Sequence, residues 1–320
     1  MVGILRYTNQ LSDRNINNLS NRVVLYQKHG IMIFHKGMIS PLSKHIIKTM
    51  TSNFVIEKTK SDICKALVET GKNVLLTGGT GCGKTTFALE MAEELNLNPV
   101  VINCGSTQDA RSALIGYFTL KNGDTVFQES DLLKAIQEPN TMVILDELSR
   151  ASDDALNILF PLLDFRADIR VEERDEDRMV KVADNVKFVA TANVGLEYSA
   201  TRSIDRALQD RFLCFNIPYI TPTQLNGYIK KLHGKEIADQ MKPLSQVYGY
   251  THKMMKKSKI GTALSTRMIL DVVPLVSKFT IGQILENVIL SIYQTDSSSI
   301  ISDASIIREY ADSVGITFKN

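Results

Sequence analysis

From about Phe54 onward, short apolar runs alternate with segments of helical period. "SDICKALVETGKN" places its apolar residues on one helix face, with Asp62 near its start and Gly71 past its end. Apolar runs "NVLLT", "PVVIN", "MVILD", "KFVATA" and "LCFNI" then follow. Helical patterns at Phe87–Leu95, Leu132–Ile136, Asp153–Leu163 and Ser203–Asp210 lie between them. Short apolar strands separated by helices predict an α/β fold, with a parallel five-stranded sheet covered on both faces. After Pro218 the strand pattern stops and helical segments run to the C-terminus. The predicted organisation is an N-terminal extension over 1–53, an α/β core over 54–220 and a smaller α-helical lid over 221–320.

Inside the core, "GYFTLKNGDTVFQ" (Gly116–Gln128) breaks the alternation. Asn122-Gly123 between two alternating segments predicts a two-residue β-hairpin, because both central residues of that turn need φ > 0. The extension carries seven Lys or Arg against one acid, Asp13, and its runs "RVVLYQ" and "GIMIFH" read as short strands. It is expected to be an interaction surface.

Composition adds exclusions. The chain is 44% hydrophobic and 22% charged with a net charge of +2, which argues against wholesale attraction to nucleic acid or membrane. No apolar run approaches the roughly 18–20 residues that span a bilayer. The N-terminus shows no apolar h-region followed by a small-residue cleavage site, so no secretory signal is expected. Cys64, Cys82, Cys104 and Cys214 are widely spaced, which predicts free thiols in a reducing cytoplasm and neither zinc nor a disulfide framework.

The chemistry concentrates in two places. "GGTGCGKTT" (Gly78, Gly79, Thr80, Gly81, Cys82, Gly83, Lys84, Thr85, Thr86) fits G-x-x-x-x-G-K-T directly between a strand and a helix. Its glycines let backbone N–H groups curl around a polyphosphate at a helix N-terminus. Lys84 is placed for the β- and γ-phosphates, and the Thr85 hydroxyl for Mg²⁺. "MVILDELSR" then delivers Asp146 and Glu147 at a strand tip beside that loop. Asp146 is expected to hold the Mg²⁺, and Glu147 to polarise or orient an attacking water.

With these motifs the chain resembles the AAA+ ATPases, over about Phe54 to Ser277. "FVATANVG" puts Asn193 where that family keeps its first sensor. "SIDRALQDRFLCFNI" resembles the segment with the arginine finger, for which Arg211 and Arg206 are both candidates. "TALSTRMILDV" resembles the second-sensor motif, with Arg267 near a helix start. The resemblance also explains the hairpin, since the dynein-related subfamily inserts one into its second helix and a second before the first sensor. "DIRVEERDEDRMVKV" fits the second, with Ile169–Val171 and Met179–Val182 as strands. "LDELSRASDDALNILFPLLD" looks closest to the MoxR and cobalt-chelatase-ATPase (CobS-like) branch.

That resemblance implies an ATP- and Mg²⁺-dependent homo-oligomer, usually a six-membered ring, with the finger donated by a neighbour. Arg150 matches a position that is either a cross-subunit contact or a local partner of Asp153 or Asp154. The implied task is remodelling a separate protein partner, in this branch often one with a von Willebrand factor A domain. The alternative is a nucleic-acid-directed motor or a restriction NTPase akin to McrB. Five acids against two bases in Glu172–Arg178 tilt against nucleic acid, while eight Lys against two acids in "YIKKLHGKEIADQMK" and "HKMMKKSK" pull the other way.

Overall fold

The computed structural model describes residues 57–105, 109–193, 206–293 and 302–318, and the backbone of 26–28 and 31–33. The chain divides into two units, Met1–Ile46 and Ile47–Asn320. In the first, β1 (Tyr26–Lys28) and β2 (Ile31–Ile33) pair antiparallel; β2 lies inside "GIMIFH", while β1 overlaps only the last two residues of "RVVLYQ" and runs one residue past it.

In the second unit, helix α1 (Lys58–Glu69) begins three residues before the patterned stretch, and Gly71 follows it at φ +79°. Then come β3 (Val74–Gly78), α2 (Lys84–Glu94) and β4 (Asn98–Asn103). Next are α3 (Ala110–Leu114), the hairpin β5 (Gly116–Lys121) and β6 (Asp124–Glu129), α4 (Asp131–Ala135) and β7 (Thr141–Asp146). Helix α5 (Asp153–Leu163) leads to a second hairpin, β8 (Asp168–Arg170) and β9 (Met179–Lys181), then β10 (Lys187–Asn193). Helix α6 (Arg206–Arg211) and β11 (Leu213–Asn216) close the α/β part.

The five predicted runs make one all-parallel sheet of order β11-β3-β10-β7-β4. Side chains alternate between its faces, so β7 sends Met142 and Ile144 to one buried cluster, with Phe87 and Met91 of α2. Val143 and Leu145 point into the opposite cluster, with Leu156 and Leu159 of α5. A strand buried on both faces must be apolar at every position, which is why "MVILD" reads as a continuous run.

Both inserted hairpins are present. Asn122 and Gly123 take φ +57° and +94°, as the tight turn requires. In the second hairpin the first strand sits one residue earlier than expected and the second starts at Met179 as expected but ends one residue sooner, with Ile169 opposite Val180. Its acidic turn is less bare than its composition suggests. Glu172 pairs with Arg170 and Arg178, and Glu173 accepts two hydrogen bonds from Arg111, at 2.5 and 2.9 Å. Those guanidiniums hold both carboxyls below the usual range. The sequence argument counted only the turn's own residues, whereas Arg111 and Arg170 come from outside it.

Beyond β11 the described elements are helical: α7 (Pro222–His233), α8 (Lys235–Lys256), α9 (Thr266–Val272), α10 (Ile281–Ile284) and α11 (Asp303–Ser313). Thr221 and Gln224 form a reciprocal capping box at α7, with Pro222 in the first turn. These helices bury their own apolar cluster, which includes Leu225, Tyr248, Ile269 and Ile307.

Candidate functional site

Four polar side chains and one glycine-rich loop meet at the carboxyl edge of the sheet. Parallel strands in register make this happen: Asn193 at the tip of β10 lies opposite Gly78 at the tip of β3, and Asn103 lies opposite Asp146. Gly78, Gly81 and Gly83 take φ of +152°, +72° and +98°, which only glycine adopts without strain. A Cβ on Gly79 would lie 2.1 Å from the Tyr219 hydroxyl, so no other residue fits there without displacing that ring.

Lys84 opens α2 and is only 7% exposed. Its ammonium donates to the carbonyls of Gly78 (3.0 Å) and Gly79 (2.8 Å) and to Asn193 Oδ1 (2.7 Å). Burial pulls its pKa below the ordinary lysine value; Cys82 and Asp146 oppose that, and the nearby Arg267 adds to it. The Cys82 thiol, 3% exposed, is pushed above its ordinary value by burial and stays protonated.

Asp146 is 5% exposed and is held by two hydroxyls. Thr85 donates to its Oδ1 at 2.8 Å and Thr191 to the same oxygen at 2.6 Å, while the Thr191 hydroxyl accepts from the Glu147 N–H at 3.1 Å. A hydroxyl beside a buried carboxylate is a set of hard oxygen donors that suits Mg²⁺. Thr85 and Asp146 therefore fit the ion that the sequence assigned to them.

Glu147 departs from the strand at φ +56°, an uncommon conformation for a residue with a side chain. Its Oε2 accepts from Arg150 Nη1 at 3.1 Å. Arg150 thus pairs locally, with Glu147 as its partner where the sequence had suggested Asp153 or Asp154. Gly105 makes room for this pair, since a Cβ there would lie 2.7 Å from Glu147 Oε2 and 3.3 Å from Arg150.

Comparison with known proteins agrees with this geometry. Residues 73–212 match the family model described as AAA domain (dynein-related subfamily). A Thauera aromatica protein named "Putative chaperone BssE" is 30% identical over 229 residues, which cover 71% of this chain and 76% of that protein. An uncharacterised protein from Staphylococcus aureus (strain NCTC 8325 / PS 47) is 28% identical over 243 residues, covering 73% of this chain and 89% of its own. The chain belongs to the AAA family, dynein-related subfamily. Membership implies nucleotide binding and, in general, ATPase activity.

The remaining predicted residues of this AAA chain lie at two places. Arg211 ends α6, where its Nε donates to Asp164 Oδ1 at 2.9 Å and its guanidinium stacks 4.4 Å from the centre of the Phe160 ring. Arg206 begins the same helix, but its side chain lies outside the described residues. Arg267 sits in the first turn of α9, where the N-cap Ser265 hydroxyl accepts from the Met268 N–H at 3.1 Å. A Cβ on Gly81 would lie 2.9 Å from that of Ser265 and 3.5 Å from that of Arg267.

Sequence reasoning missed Thr191, Gly105 and the lid residues that touch the loop. Tyr219 donates its hydroxyl to the Thr80 carbonyl at 3.0 Å. Its ring lies 4.1 Å from His252, which in turn meets Tyr248 edge-on at 4.5 Å and donates to the Leu264 carbonyl at 2.8 Å. Burial lowers the His252 pKa to about 4, so the imidazole is neutral. A cavity of about 800 Å³ opens beside this ladder, between Gly78–Gly79 and the lid residues Gly249, Lys256 and Gly261. Thr191 alone carried a legible signal: it stands two residues before Asn193 on one strand, and i, i+2 residues share a face.

Proposed function

We propose that this AAA chain is a Mg²⁺-dependent ATPase that works as a homo-oligomeric ring, hexameric in its resemblance, and remodels a separate protein partner. The reading rests on one observation: two hydrogen-bonded polar groups, Lys84–Asn193 and Thr85–Asp146–Thr191–Glu147, lie side by side at the strand tips. A chaperone role is favoured by the name of the Thauera aromatica relative, "Putative chaperone BssE". A partner with a von Willebrand factor A domain and descent from the MoxR or CobS-like branch belong to the same proposal.

Each residue has a task. Lys84 already sits among carbonyl oxygens and exchanges some of those hydrogen bonds for phosphate oxygens. Thr85 and Asp146 would hold Mg²⁺, which would supply charge neutralisation for the phosphates. Glu147 orients the attacking water once its carboxylate turns from Arg150, and Asn193 fixes the far side of the γ-phosphate. Arg211, or Arg206, is the finger given to the neighbouring subunit, a contribution worth about 10³–10⁵ in rate in related chemistry. Arg267 reads the phosphate from the lid.

The test uses the purified chain with ATP and Mg²⁺. Glu147→Gln is expected to retain ATP, accumulate a larger assembly on size-exclusion chromatography and lose turnover. Arg211→Ala mixed with Glu147→Gln is expected to regain part of the activity, because one interface then joins an intact acid to an intact guanidinium. Full turnover by a monomer at every concentration overturns the ring.

A further inference from the structure

Hairpin β5–β6 stands out from the core with its apolar side chains uncovered. Tyr117, Phe118, Leu120 and Val126 are 54%, 57%, 77% and 41% exposed. Register puts Phe118 opposite Phe127, and their rings lie 5.6 Å apart. Phe127 packs on the core and roots the hairpin, leaving Phe118 and Leu120 on one outward face and Tyr117 and Val126 on the other. Gly116 makes that root possible, since a Cβ there would lie 2.3 Å from the Gln128 carbonyl and 2.8 Å from the Phe127 ring. The hairpin forms a two-stranded sheet, so each strand has an outer edge unpaired among the described residues. Exposed apolar groups and open strand edges together mark a surface that is covered by something else.

A second feature fixes the sign of that something. The turn of hairpin β8–β9 is fastened to the root of β5–β6. Arg174 donates to Glu129 at 2.9 Å and to Gln137 Oε1 at 2.8 Å, and Gln137 donates back to Glu129 Oε2 at 3.1 Å. Arg111 holds Glu173 with a two-pronged bond. Pairing consumes Glu172 and Glu173 but leaves Asp175, Glu176 and Asp177, all exposed and without an ion pair among the described residues. On the hairpin tip Lys121 and Asp124 offset one another. The result is an apolar, open-edged hairpin flanked by uncompensated negative charge.

We propose that the β5–β6 hairpin and the 172–178 turn form one docking surface for an extended segment of partner polypeptide that carries Lys or Arg beside large apolar residues. The proposal deepens the reading of the chain as a machine that acts on a protein, and rests on it. An extended segment satisfies an open strand edge by backbone hydrogen bonds, its apolar residues cover Phe118 and Leu120, and its cations meet Asp175–Asp177. A polyphosphate backbone offers the same turn only repulsion.

The experiment uses the full chain with a non-hydrolysable ATP analogue and fluorescein-labelled probes read by anisotropy. The probes are 16-residue peptides of Phe, Leu and Lys, of Phe, Leu and Glu, and of Ser, Gln and Lys, and a single-stranded 16-nucleotide DNA. The Phe/Leu/Lys peptide is expected to bind at least tenfold tighter than each of the others. F118S/L120S is expected to weaken it at least tenfold, and basal ATP turnover to stay unchanged. D175N/E176Q/D177N is expected to erase the preference for Lys over Glu while Phe/Leu binding persists; Asn tolerates the φ of +49° at Asp177. Equal binding of the Lys and Glu peptides, tighter binding of DNA, or full peptide affinity in F118S/L120S overturns the surface. Absence of peptide binding by the unmodified chain, with normal ATP turnover, sinks the surface and spares the catalytic reading. Absent turnover in the unmodified chain, with peptide preference intact, does the reverse.

Discussion

The two ends of the parallel sheet are built differently: the phosphate loop follows the carboxyl end of β3, whereas Arg211 lies by its amino end, where the Asn73 side chain donates to the Arg211 carbonyl at 3.2 Å. At the phosphate loop, Lys84 and Asp146 are 7% and 5% exposed, and their hydrogen bonds run to residues of the same chain. At the other end, Arg211 and Asp164 meet as an ion pair with side chains 26% and 20% exposed, on the rim of α5 and α6. Buried polar groups are worth most when the network is complete, and costly when it is not. A partly exposed pair holds its members loosely, at about 0–1 kcal/mol. The first end is preassembled, while the second holds Arg211 by a partly exposed ion pair and by stacking on the Phe160 ring, an arrangement compatible with the proposed donation of Arg211 to a neighbouring subunit.

Arg211 separates the two ends most strongly. Arg211→Ala is expected to cut turnover about 10³-fold, equivalent to about 4 kcal/mol, with stability lowered by about 1 kcal/mol at most. Asp164→Asn removes the same ion pair and is expected to leave turnover within about threefold. Matching losses in steady-state phosphate release from the two variants would make Arg211 a structural residue and erase the contrast.

The lid side of the loop responds to pH. His252 has its pKa lowered to about 4 by burial, with the Lys256 charge acting in the same direction. The unfolded chain binds this proton from about pH 6.5, so stability is full above that value and falls as pH drops toward 4. The loss amounts to roughly 3 kcal/mol across the window. His252→Phe is expected to flatten that part of the urea midpoint-versus-pH curve relative to the unmodified chain; an unaltered slope contradicts it.

Thr191→Val tests the preassembled end. It removes the donor to Asp146 and the acceptor for the Glu147 N–H. About 2 kcal/mol is expected, seen as a roughly 30-fold fall in kcat with nucleotide affinity little changed. The smallest effect is that of Tyr219→Phe, which removes the hydroxyl that donates to Thr80. A two- to fivefold rise in the Kd for ATP, measured by titration calorimetry, corresponds to about 1 kcal/mol or less.

What the sequence made legible follows the same division. Strand tips, glycine spacing and the Asn-Gly turn are local patterns, so the sheet, the loop and the first hairpin could be read directly. Asp146 and Glu147 were legible because an apolar run ends on them. Arg211–Asp164 and Tyr219–Thr80 join residues 47 and 139 positions apart, and no period announces such a pair. The ladder Tyr219–His252–Tyr248 was hidden for the same reason: each ring reads alone as an ordinary lid residue. In the acidic turn, counting charge along the chain could not show that Arg111 partners Glu173 from another helix, while Asp175, Glu176 and Asp177 keep the negative sign that the count gave.

Glu147 sits at φ +56°, in backbone territory that its own Cβ disfavours by about 1 kcal/mol or more. The surrounding sheet and the Thr191 hydroxyl hold it there. Glycine at this position would relax the chain and leave a tougher fold with no acid at its reactive edge. On the role proposed for Glu147, the variant made sturdier at this position would therefore be an idle one.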